Sequence, residues 1–405
     1  MKKGWEVKPL SEICAFSNGL WKGKKPPFVN VGVIRNTNFT KEGNLDDSDI
    51  AYLDVEARQF EKRQLQFGDI ILEKSGGGPK QAVGRVVLFD KEEGDFSFSN
   101  FTSALRVLNP DELDFRFLHK LLHWVYVSGV TESIQSNSTG IRNLDNNAYK
   151  AIKIHFPKSL PEQQRIVALL DEVFAGITHA KANAETNLHN ARALFESHLQ
   201  AVFSQQGEGW EEGTIGQHIR FIDYRGKTPT KTNSGLRLIT AKNVKMGFVQ
   251  ETPMEFVAPD SYDSWMTRGI PKMGDVLFTT EAPLANVAQL DTAEKVVFAQ
   301  RIIVMQPNAS KLDSTFLKYL LLSQPVQRRI HIKGTGATVQ GIKASLLKTI
   351  EISFPSSLTT QKKIVKQLDA LAEETQHLEA IYRRKLAALD ELKQSLLHQA
   401  FSGAL

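Results

Sequence analysis

The stretch FPKSLPEQQRIVALLDEVF, residues 156–174, returns in outline as FPSSLTTQKKIVKQLDALA, residues 354–372. Both copies contain the opening Phe-Pro, a Ser-Leu pair, one glutamine in the same place and the pair Ile-Val. Their starting points differ by 354 − 156 = 198 residues, close to half of the 405-residue chain. A repeat at this spacing predicts a fold made of two similar units.

Shorter echoes elsewhere in the chain support the repeat. They keep chain order, and their offsets, between 197 and 207 residues, differ only by the length of a loop. They are Trp5-Glu6 with Trp210-Glu211, Arg35-Asn36 with Lys242-Asn243, GDIIL (68–72) with GDVLF (274–278), and FTSALRV (101–107) with FAQRIIV (298–304). The sequence therefore predicts two copies of one unit, at residues 1–206 and 207–405.

Each copy begins with about 150 residues of short apolar runs broken by Gly, Pro, Asn and Asp. Runs such as DIILEK (69–74) and SALRVL (103–108) are rich in β-branched residues and predict strands. FRFLHKLLHWVYVSGV (115–130) and STFLKYLLLSQPVQRRI (314–330) are apolar at helical spacing and predict one or two helices per copy. The fold class predicted for each globule is therefore mixed α+β.

Each copy ends in a long helical segment whose apolar or small residues recur at alternating spacings of four and three, the pattern of a coiled-coil seam. A helix of about 40 residues is roughly 60 Å long. We expect the two helices to pair antiparallel and bury their seams, with a pseudo-two-fold relation between the copies. Separate packing of each helix on its own globule is the alternative. The seam residues are Ile166, Leu170, Val173, Ile177, Ala180, Ala184, Ala191 and Leu194, and Ile364, Leu368, Leu371, Thr375, Leu378, Tyr382, Leu386, Leu389, Leu392 and Leu396.

The predicted domain organisation follows from this alternation of globule and helix. It comprises a first globule at 1–157, a first long helix at 158–206, a second globule at 207–355 and a second long helix at 356–405.

Composition limits the class of protein. The net charge of +5 favours a polyanionic partner such as DNA. The single cysteine, Cys14, cannot form an internal disulfide, which suits a reducing cytoplasm. The opening residues MKKGWEVKPL lack the apolar run of a signal peptide. No stretch approaches 18 continuous apolar residues, so no membrane span is expected.

Motifs of catalysis are incomplete in this sequence. KPPF (25–28) has a lysine where the related loop of amino-methyltransferases needs an amide or carboxylate acceptor. SGGGPKQAVGR (75–85) lacks the Gly-Lys-Ser/Thr of a phosphate-binding loop. Asp69 and Glu73 resemble a nuclease metal site only loosely, because the second copy keeps the aspartate but has Thr279 in place of the glutamate. We find no catalytic constellation and no metal site.

The loops favour recognition of double-stranded DNA. Frameworks such as GDIIL and GDVLF match between the copies, whereas the loops that follow them diverge, as expected for two different targets. GLWKGKKPP (19–27) and DYRGKTPTKT (223–232) are basic and rich in Gly and Pro, which suits contact with phosphates. Arginine and asparagine side chains pair with guanine and adenine. The candidate DNA-binding residues are Lys22, Lys24, Lys25, Arg35, Asn36, Lys74, Ser75, Lys80, Arg225, Lys227, Thr228, Lys231, Lys242, Asn243 and Lys245.

The whole chain resembles the specificity subunit of type I restriction–modification systems. The resemblance rests on the helix entry at 157–167, on RGKTP at 225–229, on the Gly-Asp strands and on the alternation of globules and helices. The second helix entry departs from it, because TTQKK (359–363) keeps the glutamine without the glutamate. GLWKG (19–23) also lacks the Gly-x-Thr-Pro form.

The resemblance implies a non-catalytic subunit without a cofactor of its own. Each globule would be a target recognition domain that reads one half of a bipartite, asymmetric site. Two modification subunits would bind S-adenosylmethionine and methylate adenine, and restriction subunits would use ATP and magnesium. Two alternatives stay open: an enzyme with an unrecognised active site, such as a methyltransferase or nuclease, and a coiled-coil adaptor that binds only proteins.

Overall fold

The computed structural model describes residues 4–21, 23–78, 81–138, 140–205, 207–224, 228–336 and 338–405. The chain divides into two compact units. The first comprises Met1–Ala184 with Arg384–Leu405, and the second comprises Glu185–Arg383. Each unit contains one globule and a part of both long helices.

The central sheet of the first globule has four antiparallel strands, in the order Cys14–Asn18, Thr102–Val107, Ile70–Glu73 and Val86–Leu88. Successive side chains of a strand point to opposite faces. Ile70 and Leu72 accordingly enter one hydrophobic core, and Ile71 between them enters another. Because both faces are covered, these strands read as continuous apolar runs in the sequence.

Smaller elements surround this sheet. Trp5–Pro9 pairs antiparallel with Lys153–Pro157, and Phe28–Ile34 lies between Ala51–Glu56, which is antiparallel to it, and Phe96–Phe98, which is parallel. A third small sheet has the order Gln135–Ser138, Ile141–Leu144 and Ser75–Gly77. The helices of this globule are Leu10–Ile13, Ala57–Glu61, Phe115–Val127 and Asn146–Lys150, with 3₁₀ turns at Asn36–Asn38 and Val130–Ile134.

The second globule repeats the central sheet, in the order Ile219–Asp223, Ile302–Pro307, Val276–Thr279 and Val287–Gln289. Each strand occupies the place of its counterpart in the first globule. The entry and exit strands repeat as well, because Trp210–Thr214 pairs antiparallel with Glu351–Pro355. This topology confirms the predicted internal repeat and the α+β class.

The remaining elements of the second globule include a four-stranded sheet in the order Lys231–Thr232, Glu255–Val257, Leu236–Ile239 and Val296–Phe298. The predicted apolar helix is divided at Ser323, because Pro325 lacks the N–H that a helix interior requires. The helices are Ile215–His218, Tyr262–Trp265, Ser314–Leu322, Gln324–Lys333 and Ala344–Lys348, with a 3₁₀ turn at Pro259–Ser261.

The two long helices are Leu160–Ser204 and Leu358–Ser402, each of 45 residues. In the first unit, Ile166 and Leu170 near the start of the first long helix share a core with Leu397 and Phe401 near the end of the second. In the second unit, Leu199 of the first long helix shares a core with Leu368 of the second, so the ends are reversed. The helices are therefore antiparallel, as predicted.

The predicted seam is only partly buried. Ile177, Ala184 and Ala191 are buried, but Leu194 is 52% exposed and Leu378 is 38% exposed. A straight helix has 3.6 residues per turn, so its face drifts by about 20° per heptad relative to a 3.5-residue seam. Where the first long helix packs on the second globule, residues outside the predicted series are buried instead, including Leu199 and Phe203.

A buried glutamine explains why the phrase at 156–174 is repeated. Gln163 is fully buried, and its Oε1 accepts from the backbone N–H of Asp114 at 2.8 Å. Its Nε2 donates to the carbonyl oxygens of Glu112 at 2.9 Å and Pro157 at 2.7 Å. Asp114 is the N-cap of Phe115–Val127. One side chain thus joins the start of the long helix, the exit strand and the cap of a globule helix.

Gln361 makes the same three bonds in the second unit. Its Oε1 accepts from the N–H of Asp313 at 2.8 Å, and its Nε2 donates to Lys311 O at 2.8 Å and Pro355 O at 2.7 Å. Asp313 caps Ser314–Leu322. Buried polar groups must be hydrogen-bonded, so both copies need a glutamine here.

No helix in the described ranges is long and apolar enough to cross a membrane.

A buried histidine predicts acid sensitivity of the first unit. Burial, together with the positive charges of His119, Lys393 and Lys120, lowers the pKa of His123 to about 3. An unfolded histidine has a pKa of about 6.5. The unfolded state therefore takes up the proton first, and stability present above pH 6.5 is lost as the pH falls toward 3. Between pH 7 and 5 we expect a loss of about 2 kcal/mol from this residue.

Urea unfolding of His123→Leu at pH 7 and pH 5 measures this effect. The variant should lose about 2 kcal/mol less than the unsubstituted chain over this interval. His179→Leu, at an exposed position of the first long helix, is the control and should leave the pH dependence unchanged. Equal pH dependence in all three chains would contradict the assignment.

Candidate nucleic-acid interface

The Gly-Asp motif of each globule builds a turn that aims the next strand and its loop. Gly68 and Gly274 both have φ of 91°, a conformation that favours glycine. The Asp69 carboxylate accepts from the N–H of Gln66 at 2.8 Å, and both of its oxygens accept from Arg106 at 2.7 Å. Asp69 is therefore occupied by structural bonds. No cluster of three or more His, Cys, Asp or Glu suited to a metal ion occurs among the described residues.

A buried ion pair holds the loop that follows strand Ile70–Glu73. Arg85 donates to both carboxylate oxygens of Glu73, at 2.8 and 2.9 Å. It also donates to the carbonyl oxygens of Asn36 at 3.1 Å and Phe39 at 3.0 Å. Burial alone would lower the pKa of Arg85, but the hydrogen bonds and charge of Glu73 raise it. The pair fixes two loops of the first globule against each other.

Three predicted DNA-binding residues meet beside this ion pair. Asn36 Nδ2 donates to Glu73 Oε1 at 3.3 Å, Lys74 Nζ donates to Asn18 Oδ1 at 2.9 Å, and Ser75 Oγ donates to an amide oxygen, Asn143 Oδ1, at 2.6 Å. All three predicted residues are half-buried. Burial lowers the pKa of Lys74. The loop ends of the first globule therefore carry a rim of amide, hydroxyl and ammonium groups, the chemistry that reads base edges and phosphates.

The basic loop of the first globule, residues 19–27, is more exposed to solvent over residues 24–27 than the residues beside the ion pair are. Lys24 and Lys25 are exposed, and the backbone N–H of Lys25 donates to Glu56 Oε2 at 3.4 Å. Trp21, in the same loop, is 67% exposed. Arg35 is half-buried and donates to the carbonyl oxygen of Asp49 at 3.0 Å. Exposed cationic and aromatic side chains on one loop fit contact with a nucleic acid.

The described candidates of the second globule lie on loops, except Lys231, which begins the edge strand Lys231–Thr232. Thr228 Oγ1 donates to Gln300 Oε1 at 2.6 Å, and Lys231 pairs with Glu255 at 2.8 Å. Lys242 is exposed and Lys245 is half-buried. The partners differ from those in the first globule, so the two rims present different groups.

Asn243 is a correction to the prediction. It is fully buried, and its Oδ1 accepts from the N–H of Thr240 at 2.9 Å. Its Nδ2 donates to three backbone carbonyls between Gln250 and Pro253. These bonds use the amide that a base would need, so Asn243 stabilises a turn. Its counterpart is Asn38, which accepts from the N–H of Arg35 at 2.9 Å, rather than Asn36.

Four candidates, Lys22, Lys80, Arg225 and Lys227, lie outside the described residues. Sequence reasoning did not select Arg85 as a residue that holds the site, because an arginine twelve residues from its glutamate carries no local signal. Trp21 was missed for a different reason. A single aromatic residue in a sequence is usually interpreted as a core residue. Only the exposure of Trp21 in the structure shows that it can contact a nucleic acid.

The structure thus has two globules whose central sheets match and whose polar groups at the loop ends differ. It also has two long antiparallel helices. Such a chain is a recognition subunit. The family match agrees: residues 2–187 and 261–385 match the family described as type I restriction modification DNA specificity domain. The chain belongs to this family. It is a non-catalytic DNA specificity subunit that works as part of a type I restriction–modification complex.

Relatives and solved structures are consistent with this assignment. The chain is 23% identical to the EcoKI specificity subunit of Escherichia coli K12, over all of this chain and 90% of that protein. It is 22% identical to the MjaVIII specificity subunit of Methanocaldococcus jannaschii, over 67% of this chain and 66% of that protein.

The fold itself matches two solved structures. One chain, from a structural study of complex assembly and conformational transition in a type I system, gives a TM-score of 0.81 at 18% identity and covers 100% of this chain and 99% of its own length. The HsdS subunit from Thermoanaerobacter tengcongensis gives 0.63 at 18% identity, over 100% of this chain and 98% of its own.

Proposed function

We propose that each globule reads one half of a bipartite, asymmetric DNA target. The observation that carries this proposal is the contrast between the globules. Their central sheets have the same strand order, but the groups on their loop ends differ. A shared framework with different loops supports two related ways of approaching DNA and two different base sequences.

The long helices would set the unread spacer between the half-sites. Each has 45 residues and is therefore about 68 Å long. In this proposal the partners follow the family resemblance. Two modification subunits bind S-adenosylmethionine and methylate adenine, and restriction subunits use ATP and magnesium to translocate and cut. The chain contributes DNA binding and a scaffold in the cytoplasm and holds no cofactor.

Neutralising the basic loop tests the DNA-binding assignment. Lys24→Ala with Lys25→Ala removes two exposed charges near Trp21. The complex with modification subunits should bind all DNA sequences more weakly. The slope of log affinity against log salt should fall by up to about 0.9 for each lost phosphate contact.

Lys153→Ala with Lys158→Ala is the matched control, because both lysines are exposed but lie on the exit strand and just before the long helix. It should leave the salt slope unchanged. The same slope in both double variants would exclude the loop from the phosphate contacts. A full loss of DNA binding by the control would place the DNA elsewhere.

A further inference from the structure

Ion pairs join the long helices in both units of the described chain. In the first unit Lys181 Nζ lies 2.8 Å from Asp390 Oδ1, and in the second unit Arg192 Nε lies 3.0 Å from Glu379 Oε2. Arg192 follows Lys181 by eleven residues, and Glu379 precedes Asp390 by eleven residues. This opposite order is what antiparallel pairing requires. Both cations belong to the first long helix and both anions to the second.

The sequence repeat relates the same four positions in a different way. Adding the offset of 198 takes Lys181 to Glu379 and Arg192 to Asp390. Each position that is basic in the first helix is therefore acidic in its repeat. If a first long helix paired with a copy of itself in the same geometry, Lys181 would face Arg192 of the copy, twice. A self-paired second helix would bring Glu379 opposite Asp390, twice.

We propose that these four charges select the pairing of unlike helices and oppose pairing of either helix with its own copy. The seam of the first long helix is then an interaction surface whose fitting partner is the second long helix, from the same chain or from another. This selectivity is needed because the two helices descend from one repeat and share much of their apolar pattern. A shared apolar pattern does not by itself distinguish the three pairings.

The seam residues reinforce the selection by size. Ala184 and Ala191 are buried in the first long helix. Their repeat counterparts, 198 residues later, are the half-buried Tyr382 and Leu389. Pairing of two alanine-faced helices leaves voids, and pairing of two helices with the larger side chains crowds the seam. Unlike helices can alternate small against large.

The expected selectivity is moderate. Exposed ion pairs are individually weak, and like charges at the same spacing destabilise by similar amounts. Unlike pairing gains two attractions, whereas each like pairing has two repulsions. The difference corresponds to roughly a tenfold or greater preference for unlike pairing.

An exchange of one ion pair changes the charges and leaves the apolar residues of the seam as they are. The exchange at Glu379 also removes its ion pair with Arg383 of the same helix, at 2.7 Å. Arg192→Glu with Glu379→Arg keeps both cross-helix ion pairs of the native arrangement. In this variant, however, a self-paired first helix would place Lys181 against the introduced glutamate of the copy, which is an attraction. Lys181→Asp with Asp390→Lys does the same through the other pair and serves as a second, independent variant. All four substitutions together again give each helix charges of the same sign at its two positions, so self-pairing is again repulsive there.

The experiment uses the folded full chain, cut afterwards at a protease site inserted between Ser204 and Trp210. Two preparations with different tags on their first halves are mixed, loosened in mild denaturant and returned to native buffer. Successive pull-downs on the two tags then measure complexes that contain two first halves. The native charges should give almost none, each single exchange should raise their yield at least tenfold, and the fourfold variant should return to the native yield.

Two results would overturn the proposal. One is an equal yield of doubly tagged complexes from native and single-exchange chains. The other is a fourfold variant that self-pairs as much as the single exchanges do. The readout is the association of the two halves, compared between variants that differ only in charge, so the result does not depend on how the globules read DNA.

Discussion

Replacement of residues 207–355 by the globule of a related specificity subunit will change one half of the DNA target and leave the other half unchanged. The chain enters and leaves this globule on paired strands, since Trp210 lies opposite Pro355 in the antiparallel register. A replacement with the same strand pair can therefore connect to both long helices without altering them. Trp5 and Pro157 provide the same exchange point in the first globule.

The donor globule must fit the helices that it packs on. Phe316 lies 5.4 Å from Phe203 of the first long helix, and Tyr319 lies 6.2 Å from Phe195, measured between ring centroids. Tyr319 Oη also donates to Asp369 Oδ1 of the second long helix at 2.5 Å. We expect donors with aromatic residues at these two positions to assemble, because loss of a buried aromatic side chain costs about 3–5 kcal/mol.

Methylation mapping in a host that carries the complete system measures the outcome. Exchange of 207–355 and exchange of 1–157 should alter opposite halves of the mapped site, with the spacer unchanged in both. A change in both halves after one exchange would show that the globules do not read independently. An unchanged site would show that recognition lies outside the exchanged residues.

The architecture was predictable because it follows from the spacing of apolar residues along the chain and from the internal repeat. Short apolar runs predicted the central strands. Helical periodicity, interrupted at Asn187 in the first copy, predicted two helices of about 40 residues, and the structure has two of 45. The repeat predicted two globules. Because each long helix has an apolar seam to bury, the repeat also predicted that the two helices pair antiparallel. These features depend on residue types at regular spacings, which a single sequence displays.

The site was less predictable because it depends on contacts between distant loops. The similarity of Arg35-Asn36 to Lys242-Asn243 aligned Asn243 with Asn36. The hydrogen bonds show instead that Asn243 corresponds to Asn38. The alignment with Asn38 has an offset of 205, the same as that of Trp5 with Trp210. The offset could have indicated the turn, but nothing in the sequence showed that the amide is buried. The bond from Lys74 to Asn18 likewise spans 56 residues and has no sequence signal.

Substitution of Gln163 by leucine will destabilise the first unit by about 3 kcal/mol or more. Leucine fills similar volume but cannot accept from the N–H of Asp114 or donate to Glu112 and Pro157. Three backbone groups, those of the half-buried Asp114 and Glu112 and of the buried Pro157, would lose their partner, and an unsatisfied buried group costs about 1–3 kcal/mol. The capped helix Phe115–Val127 would lose part of its anchor to the long helix.

The neighbouring glutamine provides the control, because Gln164 is exposed and its repeat counterpart is Lys362. Gln164→Leu should change the free energy of unfolding by less than about 0.5 kcal/mol. Gln361→Leu should reproduce the loss in the second unit, since it makes the same three bonds. Denaturant unfolding of the three variants compares these effects directly. If Gln163→Leu were as mild as Gln164→Leu, the repeated glutamine would not be what joins helix, strand and cap, and the repeat at 156–174 and 354–372 would need another physical cause.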